Sequence, residues 1–287
     1  MKKLVERAEL LMEALPYIQL FKNKTIVVKY GGSAMGDDDT VESILLDITL
    51  LKYVGMHPII VHGGGIAVNE MLRKLNMESK FHKGLRITDD DTIDVAAMVL
   101  IGQVNTNLVA MLNKMGAQAI GLSGLSAKLI EAEKMAPVDG VDLGHVGHVT
   151  NINVKLLEAM MKLDYIPVIA PIGIGPDGEK YNINADTAAG EVAAALQAEK
   201  IVFMTDVDGI QTNPKDPKTL LNRFSASQGL DLIEKGIVQG GMLPKLEACM
   251  RAVESGVDRA HIINGNISHS LLLEVFTDTG IGTMVNK

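Results

Sequence analysis

The sequence predicts an α/β fold with a mostly parallel sheet covered by helices on both faces. Short β-branched runs that end in glycine or turn residues alternate with longer helical patterns, the βαβ rhythm of such a sheet. With 287 residues, 47% of them hydrophobic, the chain can bury one large α/β core or two lobes around a cleft. The apolar runs also close on useful chemistry: Lys29-Tyr-Gly-Gly, His62-Gly-Gly-Gly, Ser123-Gly, Pro171-Ile-Gly, Thr205-Asp-Val-Asp-Gly and Asn264-Gly. In open parallel sheets ligands bind at the carboxyl ends of the strands, so these ends should line one edge.

Taken in order, Leu4, Ala8, Leu11, Leu15 and Ile18 alternate spacings of four and three, which places an apolar stripe on a helix broken near Pro16. That stripe needs a partner surface, either its own domain or a second subunit. TIVVKYGG then reads as a strand and TVESILLDITLLKYVG as a helix; PIIVHGGG and IAVNEMLRKLNM repeat the pair. QAIGLSG, IPVIAPIG, KIVFMTDVDG and RAHIING read as further strands, while ADTAAGEVAAALQAE and LPKLEACMRAVESG read as helices. The Ala-rich helix 185–198 followed by KIVFMTD marks a boundary, which divides the chain into a leading helix (1–22), an amino-terminal lobe (23–197) and a carboxyl-terminal lobe (198–287).

The net charge of −8 comes from scattered charges of both signs, without a basic block and with 3% aromatics, which argues against nucleic acid as a partner. An anionic substrate therefore has to be held by local donors working against the global field. One cysteine, Cys249, allows no internal disulfide, and the start MKKLVERAELLMEAL is amphipathic rather than a continuous apolar signal core, so a reducing cytoplasm is expected. Apolar runs such as YIPVIAPIGIG are broken by proline and glycine short of the roughly 20 residues a membrane helix needs, so no membrane association is expected.

In PIIVHGGGIAVNE a strand enters three glycines and leaves as a helix, where unpaired N–H groups at Gly64 and Gly65 could hold a carboxylate or phosphate, or the glycines could serve only a tight turn. A Walker sequence is absent. GIGPDG at 173–178 matches GxGxxG in form, but Pro176-Asp177-Gly178 is turn chemistry and reads as a hairpin tip, which disfavours a dinucleotide oxidoreductase. Asp89 to Asp91 reads as a helix cap rather than a metal site, and Arg86 before it carries a planar fork that can grip a carboxylate. Asn182, Asn184 and Asp186 crowd the start of the Ala-rich helix, as ligand-reading groups or as a cap. Lys245 near a helix start is misplaced as a capping charge and makes sense if an anion sits beside it. The segment from Thr205 to Ile210 could hold a nucleotide base or ribose, or be an ordinary loop.

Together VVKYGGS, IIVHGGG, GLRIT, GHVGHV, NINADTAA, TDVDGI and GGMLPK, in this order from about Thr25 onward, resemble the amino acid kinase family, and within it the members that phosphorylate N-acetylglutamate. The resemblance implies a three-layer α/β/α sandwich of two lobes, the carbamate-kinase-like fold, with N-acetyl-L-glutamate in the amino-terminal lobe and MgATP in the carboxyl-terminal one. It implies transition-state stabilisation by Lys29 and Lys245, both oriented by Asp186. Substrate contacts would come from Gly64, Gly65, Arg86, Asn182 and Asn184, and nucleotide contacts from Gly31, Gly32, Thr205, Asp206, Gly209, Gly241 and Lys245. Mg²⁺ would arrive on ATP without a dedicated metal cage. The carboxylate acceptor is already ionised at neutral pH, so no general base is needed.

The leading helix and the ending HIINGNISHSLLLEVFTDTGIGTMV resemble the arginine-inhibited branch, in which that helix joins dimers into a hexamer, a trimer of dimers. This implies an L-arginine site at Tyr17, Lys218, His261, Glu274 and Gly280. Asn264-Gly265-Asn266 stands where many members carry Asp-Gly-Arg. Two alternatives stay open: a kinase for aspartate, carbamate, glutamate or a related acidic acceptor, and an arginine-binding regulator without activity. The intact Lys29, Asp186 and Lys245 speak against the second.

Overall fold

Strand β1 (Thr25–Tyr30) runs through the middle of the molecule, and five of its six residues are buried, as a strand covered on both faces requires. The computed structural model describes residues 9, 12–31, 38–213, 216–277 and 280–287. On one side β1 pairs in parallel with β2 (His57–His62), which continues to β8 (Ile166–Ala170) and β5 (Ala119–Ser123). On the other side it pairs in parallel with β11 (Lys200–Thr205), followed by β13 (Arg259–Asn264), β14 (Thr283–Asn286) and β12 (Arg223–Ser225). Only the β13–β14 pairing is antiparallel in this eight-stranded sheet. Strands β1, β2, β5, β8, β11 and β13 therefore end on one edge, as the sequence predicts.

Alternation along β1 divides the core in two. Ile26, Val28 and Tyr30 face a cluster built with α2 (Asp38–Tyr53), α3 (Gly65–Lys74), α4 (Asp90–Ala97), α5 (Thr106–Lys114) and α10 (Ser270–Val275). Val27 faces the opposite cluster, built with α6 (Val154–Lys162), α7 (Ala185–Ala195) and α9 (Leu243–Glu254). Each fully buried valine or isoleucine is worth roughly 1.5–3 kcal/mol over its exposed state, so this double covering fixes the register of the whole sheet. Lys29 shares the parity of Val27 and therefore points toward α7 and α9.

Two smaller units cover the working edge. A four-stranded sheet pairs β10 (Lys180–Asn182), β9 (Ile172–Ile174), β6 (Ile130–Lys134) and β7 (Gly147–Ile152), and a short ribbon joins β3 (Phe81–His82) to β4 (Leu85–Arg86). β9 and β10 form a hairpin closed by Gly175 N–H donating to Glu179 O at 2.8 Å, so GIGPDG is the turn it was read to be. Asp89 caps α4 by accepting from the Thr92 N–H at 2.9 Å, with Asp90 and Asp91 in the first turn, again as predicted.

From Asp90 to Lys114 the chain is one helix of 25 residues, long and apolar enough by composition to cross a membrane. It is longer than the apolar runs singled out in the sequence, such as YIPVIAPIGIG. Half of its apolar window is buried inside the protein, which is the condition of a core helix. Its middle, Met98–Asn105, is a π-helix, a feature no propensity announces. The chain before β1 enters as α1 (Leu15–Phe21) with Pro16 in its first turn, where the break was expected. The stripe residues Leu4, Ala8 and Leu11 lie outside the described residues. α8 (Ala226–Glu234) is fixed by a capping box between Ser225 and Gln228.

Candidate active site

Glycine is required where β1 and β2 end because their loops touch backbone to backbone. Gly31 has φ +154°, and a Cβ there would lie 2.6 Å from the Gly63 nitrogen; Gly63 N–H in turn donates to Tyr30 O at 2.7 Å. Gly64 also has φ +154°, and its Cβ would lie 2.5 Å from Leu100 Cδ2. Among the described residues nothing accepts a hydrogen bond from the Gly64 or Gly65 N–H, the condition of an anion-binding helix start. Gly32 lies outside the described residues.

The ammonium of Lys29, at the end of β1, sits 3.0 Å from Asp186 Oδ1, and the ammonium of Lys245, in the first turn of α9, sits 3.1 Å from Asp186 Oδ2. All three side chains meet on one face of the sheet. Lys29 is 5% exposed and Asp186 6%. The Lys29 contact is ionic in geometry, because Oδ1 has no aligned donor, whereas Lys245 donates to Oδ2 and also to Gly241 O at 3.4 Å. Burial pushes the Asp186 carboxyl up, but the two ammonium groups beside it outweigh that and hold it below the usual range. The cap of α7 is not Asp186: Asn184 accepts from the N–H groups of Asp186 at 2.9 Å and Thr187 at 3.1 Å, which leaves the aspartate for the lysines.

A cleft of about 220 Å³ opens beside this group, lined by Lys29, Gly64, Gly65, Arg86, Asn182, Asn184 and Asp186 among others. Arg86 is 8% exposed and firmly held. Nη1 donates to Asn69 Oδ1 at 2.7 Å and to Ser79 Oγ, Nη2 donates to Gly65 O at 3.2 Å, and the guanidinium lies 4.6 Å over the Phe81 ring. Of five guanidinium N–H donors, three are engaged, and 5 − 3 leaves two for a carboxylate. Burial lowers the Arg86 pKa, and a guanidinium stays charged in proteins. Asn182 donates to Thr88 Oγ1 at 3.3 Å, which ties the small sheet to the segment after Arg86.

A second cavity, of about 500 Å³, is walled by Val207, Gly209, Gln211, Gln239 and Met242 among others, and its last wall leads directly into Lys245. Thr205 and Asp206 stand at the end of β11 just before it, with Thr205 Oγ1 donating to Asp206 Oδ1 at 3.1 Å. Gly209, at φ +145°, permits close approach to Thr283.

At the other end of this half, His261 Nδ1 lies 2.5 Å from Glu274 Oε1, Glu274 Oε2 accepts from the Ile281 N–H at 2.8 Å, and a Cβ on Gly280 would lie 2.9 Å from the same carboxylate. Burial lowers the His261 pKa, so a neutral imidazole donates to Glu274, whose carboxyl this bond holds down against its own burial. Tyr17 meets Phe276 edge-on at 6.4 Å. Lys218 is exposed in a separate turn, where its N–H donates to Asp216 Oδ1 at 3.0 Å.

Several residues of these sites escaped the sequence reading. Asn69 and Ser79 meet Arg86 only through the fold. Lys200, 4% exposed, lies over the Phe21 ring at 4.4 Å and is electrostatically coupled to Glu274, yet in sequence it only opens a strand. Among the described residues no group of three or more His, Cys, Asp or Glu could hold a metal ion.

Residues 24–264 match the amino acid kinase family. The chain is 52% identical over 289 residues to the acetylglutamate kinase of Caldicellulosiruptor saccharolyticus, covering 100% of this chain and 98% of that protein. It is 50% identical to the acetylglutamate kinase of Thermoanaerobacter pseudethanolicus, covering 99% and 94% respectively. Its fold superposes on N-acetylglutamate synthase from Neisseria gonorrhoeae, complexed with coenzyme A and N-acetyl-glutamate, with TM-score 0.85 and 28% identity, over 96% of this chain and 62% of that chain. Carbamate kinase from Giardia lamblia, bound to AMP-PNP, shares the fold at TM-score 0.68 and 17% identity, over 92% of this chain and 99% of that one. By sequence and by fold, this chain belongs to the amino acid kinase family.

Proposed function

We propose that the chain transfers the γ-phosphoryl group of ATP to the γ-carboxylate of N-acetyl-L-glutamate, giving N-acetyl-L-glutamyl 5-phosphate for arginine biosynthesis. The observation that carries this reading is the pairing of Lys29 and Lys245 on the two oxygens of Asp186, at 3.0 and 3.1 Å, beside the Arg86 cleft. The names of the relatives at about half identity over full length support the choice of substrate. The barrier is repulsion between a carboxylate and a polyphosphate. Two ammonium groups held by one buried carboxylate are preorganised to lower it where charge spreads over the moving oxygens. Arg86 and Asn182 would hold the acetylglutamate, Gly64 and Gly65 would turn their free N–H groups to it, and ATP would lie along the cavity at Val207–Met242. Mg²⁺ has no cage among these side chains, because both Asp186 oxygens face ammonium groups; it would travel on the nucleotide phosphates with its waters.

The discriminating experiment is a coupled ADP-release assay with acetylglutamate, glutamate, aspartate and carbamate. Acetylglutamate is expected to be preferred at least about 100-fold in kcat/KM, since a site that hydrogen-bonds an acetamide leaves groups unpaired without it. Faster turnover of any of the other three overturns the reading.

The same proposal places acetylglutamate binding and dimerisation in residues 23–197 and ATP with an arginine site in 198–287, in a cytoplasmic protein whose single cysteine is buried. L-arginine as feedback inhibitor is supported by the convergence of His261, Glu274 and Gly280, with Tyr17 on the helix leading to Phe21. Lys218 has no contact with that group among the described residues and is the weakest member of the set.

A further inference from the structure

Behind the Gly63–Gly65 loop lies a buried polar chain that the proposed reaction does not use. His62, the last residue of β2, is fully buried. Its Nδ1 is 2.7 Å from Gly63 O, and its Nε2 is 3.1 Å from Asn105 Nδ2. The Asn105 amide nitrogen also donates to Val168 O at 2.8 Å, while its oxygen rests so close over Gly121 that any Cβ there would overlap it. A carbonyl can only accept, so His62 Nδ1 carries the proton; the amide nitrogen can only donate, so Nε2 is the acceptor. The tautomer is thereby fixed, and burial, which drives the imidazole pKa down to about 4, keeps the ring neutral.

The consequence reaches the cleft through one peptide plane. The bond between Gly63 and Gly64 is trans, so tying the Gly63 carbonyl inward turns the Gly64 N–H the opposite way. Gly64 lines the cleft and its N–H has no acceptor among the described residues. The π-helix supplies the other end of the chain. Leu100 and Val104 rest against Gly64, and Asn105, the last residue of the π-helix, enters where the β2–β8 pairing stops, one residue short of His62.

We propose that Asn105 and His62 are positioning residues: Asn105 fixes the tautomer of His62, and His62 holds the Gly63 carbonyl so that the Gly64 N–H meets the carboxylate of the acceptor substrate. This rests on the reading above that Gly64 and Gly65 face that substrate. The polar chain was invisible in sequence because His62, Asn105 and Val168 are joined only by the fold.

Variants of the full-length protein test it by steady-state kinetics together with ¹⁵N NMR of the histidine rings. In His62→Asn the amide nitrogen takes the place of Nδ1, so kcat/KM for acetylglutamate should stay within about threefold of the parent. In His62→Gln the amide reaches the Nε2 position instead and the tether is lost. That variant should fall at least about tenfold, the scale of one hydrogen bond, with KM for ATP changed less than about twofold. Asn105→Asp replaces a donor by an acceptor and should place a proton on Nε2, either as the Nε2–H tautomer with the same loss in kcat/KM or as an imidazolium that keeps the tether and the activity. The proposal is overturned if His62→Asn and His62→Gln fall equally, if KM for ATP rises as much as KM for acetylglutamate, or if Asn105→Asp leaves Nε2 without a proton. The NMR signature needs no turnover. A parent protein inactive on acetylglutamate that still shows the Nδ1–H tautomer and its switch supports the tether and counts against the substrate alone.

Discussion

Asp186 does the work of two residues by presenting one oxygen to each lysine, and the sequence allowed this to be read in part. Lys29 and Lys245 stood out because each sits where a cation is otherwise unfavourable, one ending an apolar strand and one opening a helix. Their meeting on one carboxylate follows from the parity of β1 and the placement of α7 and α9 on the same face. Lys200 gave no such signal, since its burial comes from Phe21 packing over a strand end. Burial first, and then repulsion from Arg259, lowers its pKa to about 8, against partial support from Glu274. The unfolded chain therefore binds more protons than the folded one between about pH 8 and 10.5, and this group makes stability rise with pH across that window. Lys200→Met is expected to abolish that rise and to stabilise the protein at pH 7 by at most about 3 kcal/mol, as urea unfolding at pH 7 and pH 10 would register. An unchanged pH dependence would show that the ammonium is better solvated than its 4% exposure implies.

At the scale of elements, the strands buried on both faces and the helices between them were legible, because β-branched runs ending in glycine have few other uses in a soluble core. The strands that went unassigned are short or partly polar. β6 reads IEAEK and β7 reads GHVTNI, and each is buried at only a few positions, so their pairing is decided by neighbours rather than by their own pattern. The π-helix was equally hidden, as an extra residue in a turn leaves no compositional trace. It packs Leu100 and Val104 on Gly64, which makes the loop intolerant of any side chain. Gly64→Ala should lower stability by about 1–3 kcal/mol, from both the φ of +154° and the 2.5 Å approach to Leu100, and should abolish most activity. Adding Leu100→Ala should recover part of the stability and little of the turnover. Full recovery of both would show that the loop conformation is not itself required.

For the molecule as a whole, one continuous sheet joins the two halves through β1 and β11, so the Arg86 cleft and the Val207–Met242 cavity share a rigid floor with Asp186 above it. The order of chemically useful strand ends makes that common edge readable in the sequence, whereas the assembly is readable only by resemblance. If the leading helix joins dimers into a hexamer, as the resemblance implies, deleting residues 1–20 should give dimers in light scattering and weaken the proposed inhibition by millimolar arginine; dimers in the intact protein would contradict it. The central claim is the convergence of two lysines on one migrating phosphoryl group, and single-turnover rates of Lys29→Ala and Lys245→Ala test it most directly. Each variant should remain folded and lose at least about 100-fold in the rate of phosphoryl transfer, and the double variant should lose less than the product because both act through Asp186. Near-normal transfer in either single variant would contradict the account.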